Sequence, residues 1–315
     1  MTGIYIGIDT SCYTTSVAAY SAEGVLFDVR KLLTVEHGQR GLRQSDGLYQ
    51  HIRQLPELAE QVLSSLPQEA VKGIGCSTSP TNAPGSYMPV FLAGSGAARM
   101  LAAAYQVPLY SFHHQAGHIR AALIGNERLM CEESFFALHI SGGTTDLLRV
   151  KAGKGLADIA CIGSSSDLHA GQLIDRVGVA LGCPFPAGPS LERLALAATS
   201  KNIKIPSSVT GLRCSLSGAE SALQRCIGIA KPEEIAFAAY DVLSRTIAKL
   251  LRNAFSDFGE KKVLLCGGVA SSGLLRDLLQ KRTDAMLFWG DRKLSSDNAV
   301  GIAALACDLG EKQTC

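Results

Sequence analysis

His114 and His118 stand four residues apart in Ser111-Phe112-His113-His114-Gln115-Ala116-Gly117-His118. If a helix starts just after the apolar run before them, the two imidazoles share one face about 6 Å apart. That spacing suits two nitrogen ligands on one transition metal. Gln115 stands where a His-Glu-x-x-His protease carries its general base, so that hydrolytic chemistry does not fit. Paired histidines on a helix are also a common incidental feature, and a third ligand has to come from elsewhere in the chain. Asp297, in Ser295-Ser296-Asp297-Asn298-Ala299, is the candidate. Its structural alternative is a helix N-cap, a duty that Ser295 or Ser296 could share. Two histidines and one aspartate would leave coordination positions open for substrate.

A second chemistry is written in three glycine- or hydroxyl-rich turns. Gly7-Ile8-Asp9-Thr10-Ser11 opens the chain, and Ser141-Gly142-Gly143-Thr144-Thr145-Asp146 lies between two apolar runs. Cys266-Gly267-Gly268-Val269-Ala270-Ser271-Ser272 follows a third apolar run and precedes a helical pattern. Glycines let backbone N–H groups approach an anion, and hydroxyls add further donors. Two hairpins of this kind could clamp phosphates, with Asp9 and Asp146 placed to hold a metal or water. The third turn would set a helix N-terminus beside a nucleotide. Each turn alone reads equally well as a plain connection; the ordered set of three does not.

The elements that must position these residues follow from apolar periodicity. Strands are predicted at 4–9, 15–20, 25–29, 71–76 and 108–112, with helices around 48–62 and 97–105. Pro56 is expected to interrupt or restart the first helix. From Phe135 the layout repeats: strands at 135–140, 146–151 and 158–162, then helical patterns near 170–182, 190–199 and 217–229. A long helix within 233–257, strand 263–266, helix 274–281, a short strand near 285–289 and a last helix at about 297–309 complete it. A three-strand meander, helix, strand and helix thus occur twice, which predicts an α/β protein of two similar lobes around a ligand cleft. The lobes are expected at 1–130 and 131–315, with the last helix packing back on the first.

Composition limits the function classes. The 315 residues are 47% hydrophobic and 18% charged, with 32 glycines, which describes a well-buried globular chain rather than a disordered one. No apolar run reaches membrane-spanning length, and the N-terminus enters a strand-like run with no basic leader. Ten cysteines are scattered without a Cys-x-x-Cys pair, so reduced cytoplasmic thiols are expected. A formal charge of +2 neither requires nor excludes a nucleic-acid partner. Arg40, Arg43, Arg53 and Arg120 are candidates for a basic rim, each with a solvated face as its plainer reading.

The three turns, in this order, resemble the actin, hexokinase and heat-shock-chaperone ATPase superfamily, whose members carry two phosphate hairpins and an adenosine turn. Gly7–Val17, His114 with His118, Ser141–Gly143, Ala170–Arg176, Phe185–Pro189, Leu216–Ala222, Gly267–Arg276 and Ser296–Ala303 narrow it further. In that order they resemble the TsaD family, tRNA adenosine threonylcarbamoyltransferases formerly described as glycoprotease-like. The resemblance spans nearly the whole chain and implies an actin-like ATPase fold in both lobes. It implies His114, His118 and Asp297 as ligands of iron or zinc. It implies His139, Ile140, Ser141, Gly142 and Gly143 as the strand and turn that bind threonylcarbamoyl-adenylate. Asp175 and Gly188 match nucleotide contacts, Gly267 and Gly268 match the adenosine turn, and Ser272 stands where the family has a nucleotide-contacting asparagine.

The sequence departs from the family's motifs within the same stretches. Glu-Thr-Ser-Cys-Asp-Glu-Thr becomes Asp9-Thr10-Ser11-Cys12-Tyr13-Thr14-Thr15, and Ser-Gly-Gly-His-Thr-Gln becomes Ser141–Asp146 with Thr144 in place of the histidine. Gln172 replaces an acid, and Glu220 replaces a lysine. The Gly-Gly-Val-Val-Pro-Glu loop becomes Arg40–Ser45, and Gly-Pro-Gly-Leu becomes the stretch Ala83–Phe91. This is the pattern of a divergent paralogue that keeps its metal ligands, glycines and Asp175.

The resemblance therefore implies a metal-dependent transferase that takes ATP or an acyl-adenylate, with magnesium as a candidate companion of the nucleotide. Its acceptor would be tRNA adenine or a changed amine, and its partners an adenine nucleotide, tRNA and a TsaB-like paralogous subunit. A cytoplasmic location is expected, with no membrane partner. No side chain is assigned as a catalytic acid, base or nucleophile. The competing readings are a non-catalytic nucleotide-binding partner subunit and an ATP-hydrolysing switch, the latter suggested by Thr144-Thr145-Asp146.

Overall fold

The computed structural model describes the chain apart from residues 1–2, 12, 36–41, 152–155, 157 and 314–315. Arg40, Cys12 and half of the basic segment at 38–45 fall outside the described residues.

The chain begins as a meander, β1 (Ile4–Ser11), β2 (Thr14–Ser21) and β3 (Gly24–Leu32). Then come α1 (Gln44–Leu63), β4 (Val71–Ser79), α2 (Phe91–Tyr105), β5 (Leu109–His113) and α3 (His114–Leu123). A second meander follows, β6 (Ser134–Ile140), β7 (Thr145–Lys151) and β8 (Asp158–Ser165). Helices α4 (Ala170–Ala180) and α5 (Gly188–Leu196) lead to a hairpin, β9 (Ser208–Thr210) and β10 (Arg213–Ser215). Next are α6 (Ser217–Arg225), α7 (Pro232–Phe258), β11 (Lys262–Cys266), α8 (Gly273–Gln280), β12 (Met286–Trp289) and α9 (Val300–Gln313).

Two compact units result. One holds the residues up to Gly125 together with those from Ser296 onward, and the other chiefly residues 126–295. The first sheet runs β3-β2-β1-β4-β5, and the second runs β12-β11-β6-β7-β8-β10-β9. In both, the central strand is antiparallel to its meander neighbour and parallel to the strand on its other side. The duplication read from the sequence is therefore present strand for strand, with the β9–β10 hairpin added beyond β8. That hairpin escaped the sequence reading because its strands are only three residues long.

Each central strand is covered on both faces, which is why β1 and β6 carry almost no exposed residue. Ile6, Ile8, Val17 and Ala19 pack with Leu55, Leu58 and Val62 of α1 and Ala98 and Ala102 of α2. The opposite face of β1 meets α9 at Gly7, where a Cβ would lie 2.3 Å from the Ala299 carbonyl oxygen. In the second unit, α7 supplies a long buried stripe that includes Ile235, Tyr240, Leu243, Ile247 and Leu251.

Two local expectations are corrected. α1 runs unbroken through Pro56. The missing N–H deprives the Ile52 carbonyl of its donor, but both residues are exposed, so water can take its place. α2 starts at Phe91 rather than near Ala97, because its first turn buries Phe91 and brings Gly94 against Ile8 and Thr10 of β1.

Candidate metal centre and glycine turns

β5 delivers the chain directly into α3, so that the strand's last residue caps the helix. His113 Nδ1 accepts from Ala116 N at 3.1 Å. His114 and His118 follow one turn apart on one face, with ring centroids 4.4 Å apart in an edge-to-face arrangement. The facing element is α9, whose N-cap is Asn298 and not Asp297. Asn298 Oδ1 accepts from Val300 N at 3.0 Å and Gly301 N at 3.4 Å. The Asp297 carboxylate turns to the histidines instead, with Oδ1 3.2 Å from His118 Nε2 and 3.5 Å from His114 Nε2. One ligand atom from each of the three residues lies within 4.8 Å of the others. They are the one group of three or more metal-ligating side chains among the described residues.

Behind this group lies Asp9, buried at the end of β1. Its Oδ2 is 2.6 Å from His114 Nδ1, and its Oδ1 accepts from Ser11 N at 2.8 Å. A carboxylate on one ring nitrogen fixes the orientation and tautomer of the imidazole, leaving Nε2 for a ligand. Burial pulls the His114 imidazole down, but Asp9 and Asp297 outweigh it and hold the ring well above its ordinary value. Burial likewise pushes the Asp297 carboxyl up, and hydrogen bonds from His114 and His118 keep it well below the usual carboxylate range. Asp9 and Asp297 thus draw positive charge onto the His114 imidazole, as they would draw a divalent cation. A two-histidine, one-carboxylate set with borderline donors fits iron or zinc.

The second unit holds the glycine turns. Ser141 N donates to Thr144 O at 2.9 Å to close the β6–β7 turn, and Gly142 and Gly143 at its tip face open space. α4 braces the turn from below: Gly171 N donates to Ser141 O at 3.0 Å and Ala170 N to Thr145 Oγ1 at 2.8 Å. His139 and Ile140 are buried in β6, side by side with β11, where His139 pairs with Cys266. Gly267, at φ +92, comes so close that a Cβ would lie 2.4 Å from Ile140 O. The Ser141 and Gly267 turns are therefore neighbours, and Gly268 beside them is exposed.

Asp175, Gly188 and Ser272 are placed by helix ends. Asp175 Oδ1 accepts from Ala187 N at 2.7 Å, and burial pushes its carboxyl up. Gly188 opens α5, and its carbonyl accepts from Tyr240 Oη at 3.1 Å. Ser272 caps α8 through Leu275 N at 3.2 Å, while Glu192 Oε1 takes Leu274 N at 2.8 Å. The α8 N-terminus expected to face a nucleotide thus already has protein acceptors on two of its amides. What remains open near it is Gly268. Glu192 went unnoticed in the sequence, because nothing in Leu191-Glu192-Arg193 separates a cap from a surface charge.

Other candidates settle into structural roles. Arg120 is buried, pairing through Nε and Nη2 with Asp308 at 2.7 and 3.0 Å, and so leaves the basic rim. Arg43 is exposed, and Arg53 stacks over Tyr49. Gln172, in place of an acid, still caps α4 by accepting from His169 N at 3.0 Å. No helix among the described residues is long and apolar enough to cross a membrane.

Comparison with known proteins bears on these arrangements. The family model described as TsaD, tRNA N6-adenosine threonylcarbamoyltransferase, matches residues 46–304. A Neorickettsia sennetsu protein named tRNA N6-adenosine threonylcarbamoyltransferase is 27% identical over 320 residues, covering 97% of this chain and 93% of that protein. Among solved structures, HypF from T. kodakarensis matches 99% of this chain with a TM-score of 0.62 at 16% identity. The match takes in 48% of HypF, so the chain spans about half of it. Component A of the Acidaminococcus fermentans (R)-2-hydroxyglutaryl-CoA dehydratase matches with a TM-score of 0.59 at 15% identity, covering 98% and 99% of the two chains. At these identities the solved structures speak for the fold, an actin-like ATPase fold, and not for an activity. The extent of the family match decides membership: the chain belongs to the TsaD family.

Proposed function

We propose that this protein is a metal-dependent acyltransferase that binds ATP or a threonylcarbamoyl-adenylate and passes the carbamoyl group to an amine. The observation that carries the reading is the convergence of His114, His118 and Asp297, backed by Asp9, in a TsaD-family chain. Those three side chains would hold iron or zinc, which when bound would supply a Lewis-acidic charge. The nucleotide would lie on Ser141–Gly143, Gly267 and Gly268, with Asp175, Gly188 and Ser272 around it. Gly142 and Gly143 are exposed at the tip of the turn. The Gly142 amide can donate to phosphate or to an oxygen that gains charge in the reaction, while that of Gly143 donates to Ser141 Oγ at 3.3 Å.

In the step proposed, an amino nitrogen attacks the threonylcarbamoyl carbonyl carbon. A C–N bond forms, the C–O bond to the adenylate phosphate breaks, AMP leaves, and the amine gives up one proton. The acceptor supported by the family is the adenine amino group of tRNA. A changed amine remains the alternative, supported by Thr144, Gln172 and Glu220 in place of the family's residues. Under this reading tRNA and a TsaB-like subunit are the macromolecular partners, and the cytoplasm is the place of work.

The second reading, an ATP-driven switch, is suggested by Thr144-Thr145-Asp146; of these, Thr145 has a scaffold role. Its hydroxyl donates to Thr144 O and accepts from Ala170 N, so it holds the turn together rather than facing a phosphate.

The test is a tRNA-modification assay with threonine, bicarbonate, ATP and the partner synthase. Modified adenosine should form with this protein and vanish in His114→Ala. No product, where a standard TsaD succeeds under the same conditions, would move the acceptor elsewhere. Purified protein free of iron and zinc, together with unchanged stability in His114→Ala, would sink the metal reading itself.

A further inference from the structure

Arg30 lies on the edge strand β3, yet its side chain reaches the segment that carries Asp297. Nε and Nη2 hold Asp28 at 2.8 and 2.5 Å, a two-pronged pair that fixes the plane of the guanidinium. The other prong, Nη1, donates to Ser296 Oγ at 2.8 Å and to the Asp297 carbonyl oxygen at 3.4 Å. Strand register explains how it gets there. Arg30 pairs with Ser16, and Ser16 pairs with Asp9, so all three project from the same face of the sheet. That is the face α9 covers at Gly7.

The Asp297 segment needs such a hold. It precedes the first turn of α9, so its backbone lacks the regular bonding of a helix interior. Asn298 secures it from one side, donating through Nδ2 to Ser296 O at 2.8 Å while capping α9 with Oδ1. Arg30 secures it from the other side and leaves the Asp297 carboxylate to the histidines.

We infer that Arg30, locked by Asp28, is a positioning residue for the metal ligand Asp297. The inference rests on the metal reading above. The fork matters as much as the charge: one lysine ammonium cannot hold both Asp28 oxygens and also reach Ser296 and the Asp297 carbonyl.

The experiment titrates metal-stripped protein with Co2+, then with Zn2+ against a chromophoric chelator. Arg30→Met is expected to weaken Kd about 10- to 100-fold, the usual cost of losing a supporting partner of a metal ligand. Its Co2+ absorption should shift toward that of Asp297→Ala. Ser296→Ala should weaken binding less, with the metal-free unfolding midpoint of the wild type, which separates positioning from folding. Arg30→Lys should not restore the wild-type Kd. Wild-type affinity and spectra in Arg30→Met and Ser296→Ala would overturn the inference while leaving the metal reading intact. So would full recovery in Arg30→Lys, which would make the role one of charge alone. A wild-type protein that binds neither metal would overturn both.

Discussion

Gly117 and Gly301 face each other so closely that a Cβ at Gly301 would lie 1.8 Å from the Gly117 carbonyl oxygen. This contact between α3 and α9 sits one residue before His118 and four after Asp297. Only without a side chain at Gly301 can the two helices come this near, with a single carboxylate oxygen of Asp297 facing both imidazoles.

Gly301→Ala is therefore expected to push α9 away from α3. Overpacking costs about 1–3 kcal/mol, at the upper end here because the obstacle is backbone. Denaturant unfolding should show that loss, and Zn2+ affinity should fall with it. Gly96→Ala, on the exposed face of α2 with nothing within reach of its Cβ, is the control: helix propensity should raise its stability by about 0.5–1 kcal/mol and leave Zn2+ affinity unchanged.

The His114–Asp9 contact makes a second prediction. Removing the carboxylate in Asp9→Ala frees the His114 ring to turn, and metal affinity should fall about 10- to 100-fold. Asp9→Asn keeps an acceptor for Nδ1–H and should lose less. Equal Kd values for wild type and Asp9→Ala, by competition titration, would show that His114 is oriented by packing alone.

Much of this centre is visible in the order of residues, and what is not has a physical reason. His114 and His118 can be paired from spacing because a helix converts i, i+4 into one face. Asp297 could not be separated from a helix cap in sequence, since Asp and Asn cap equally well; the choice fell to Asn298, one position on. Arg30 and Asp9 come together only through strand register over β2, which no local pattern encodes. Arg120 reads as a surface charge until Asp308, 188 residues away, is seen to bury it. The duplicated meanders were legible because buried central strands leave long apolar runs, whereas β9 and β10 are too short to leave any.

His51 makes stability depend on pH. It is wholly buried on α1, its Nδ1 2.8 Å from Thr15 Oγ1, while Thr15 donates its own hydroxyl to Gln54 Oε1 at 2.7 Å. The ring is thus neutral with its proton on Nδ1, and the buried Nε2 has no partner to share a second proton. Burial lowers its pKa to about 4, with Asp9 opposing weakly. Unfolded, the ring takes up a proton below about pH 6.5, so stability is full above that pH and is lost as pH falls toward 4. At roughly 1.4 kcal/mol per unit the loss is about 3 kcal/mol. His113, also held down near 4 by burial, adds a second contribution in the same window. His51→Leu should remove about half of the slope between pH 6.5 and 4 in metal-free denaturant titrations; an unchanged slope would mean the ring is not neutral in the folded protein.

The glycine turn in the second unit separates scaffold from contact surface. A Cβ at Gly171 would lie 2.6 Å from both Gly142 Cα and Ser141 O, so Gly171→Ala must drive α4 and the turn apart. Gly143 has nothing within 4 Å of its Cβ, and its backbone needs no left-handed conformation. Gly143→Ala should leave folding stability within about 0.5 kcal/mol of the wild type, as for an ordinary surface change. If nucleotide lies on this turn, the added methyl still stands where the backbone must approach the phosphates, and affinity for a fluorescent ATP analogue should drop. Gly171→Ala should lose both stability and affinity. A Gly143→Ala protein that is as stable as the wild type and binds the analogue equally well would place the nucleotide away from Ser141–Gly143.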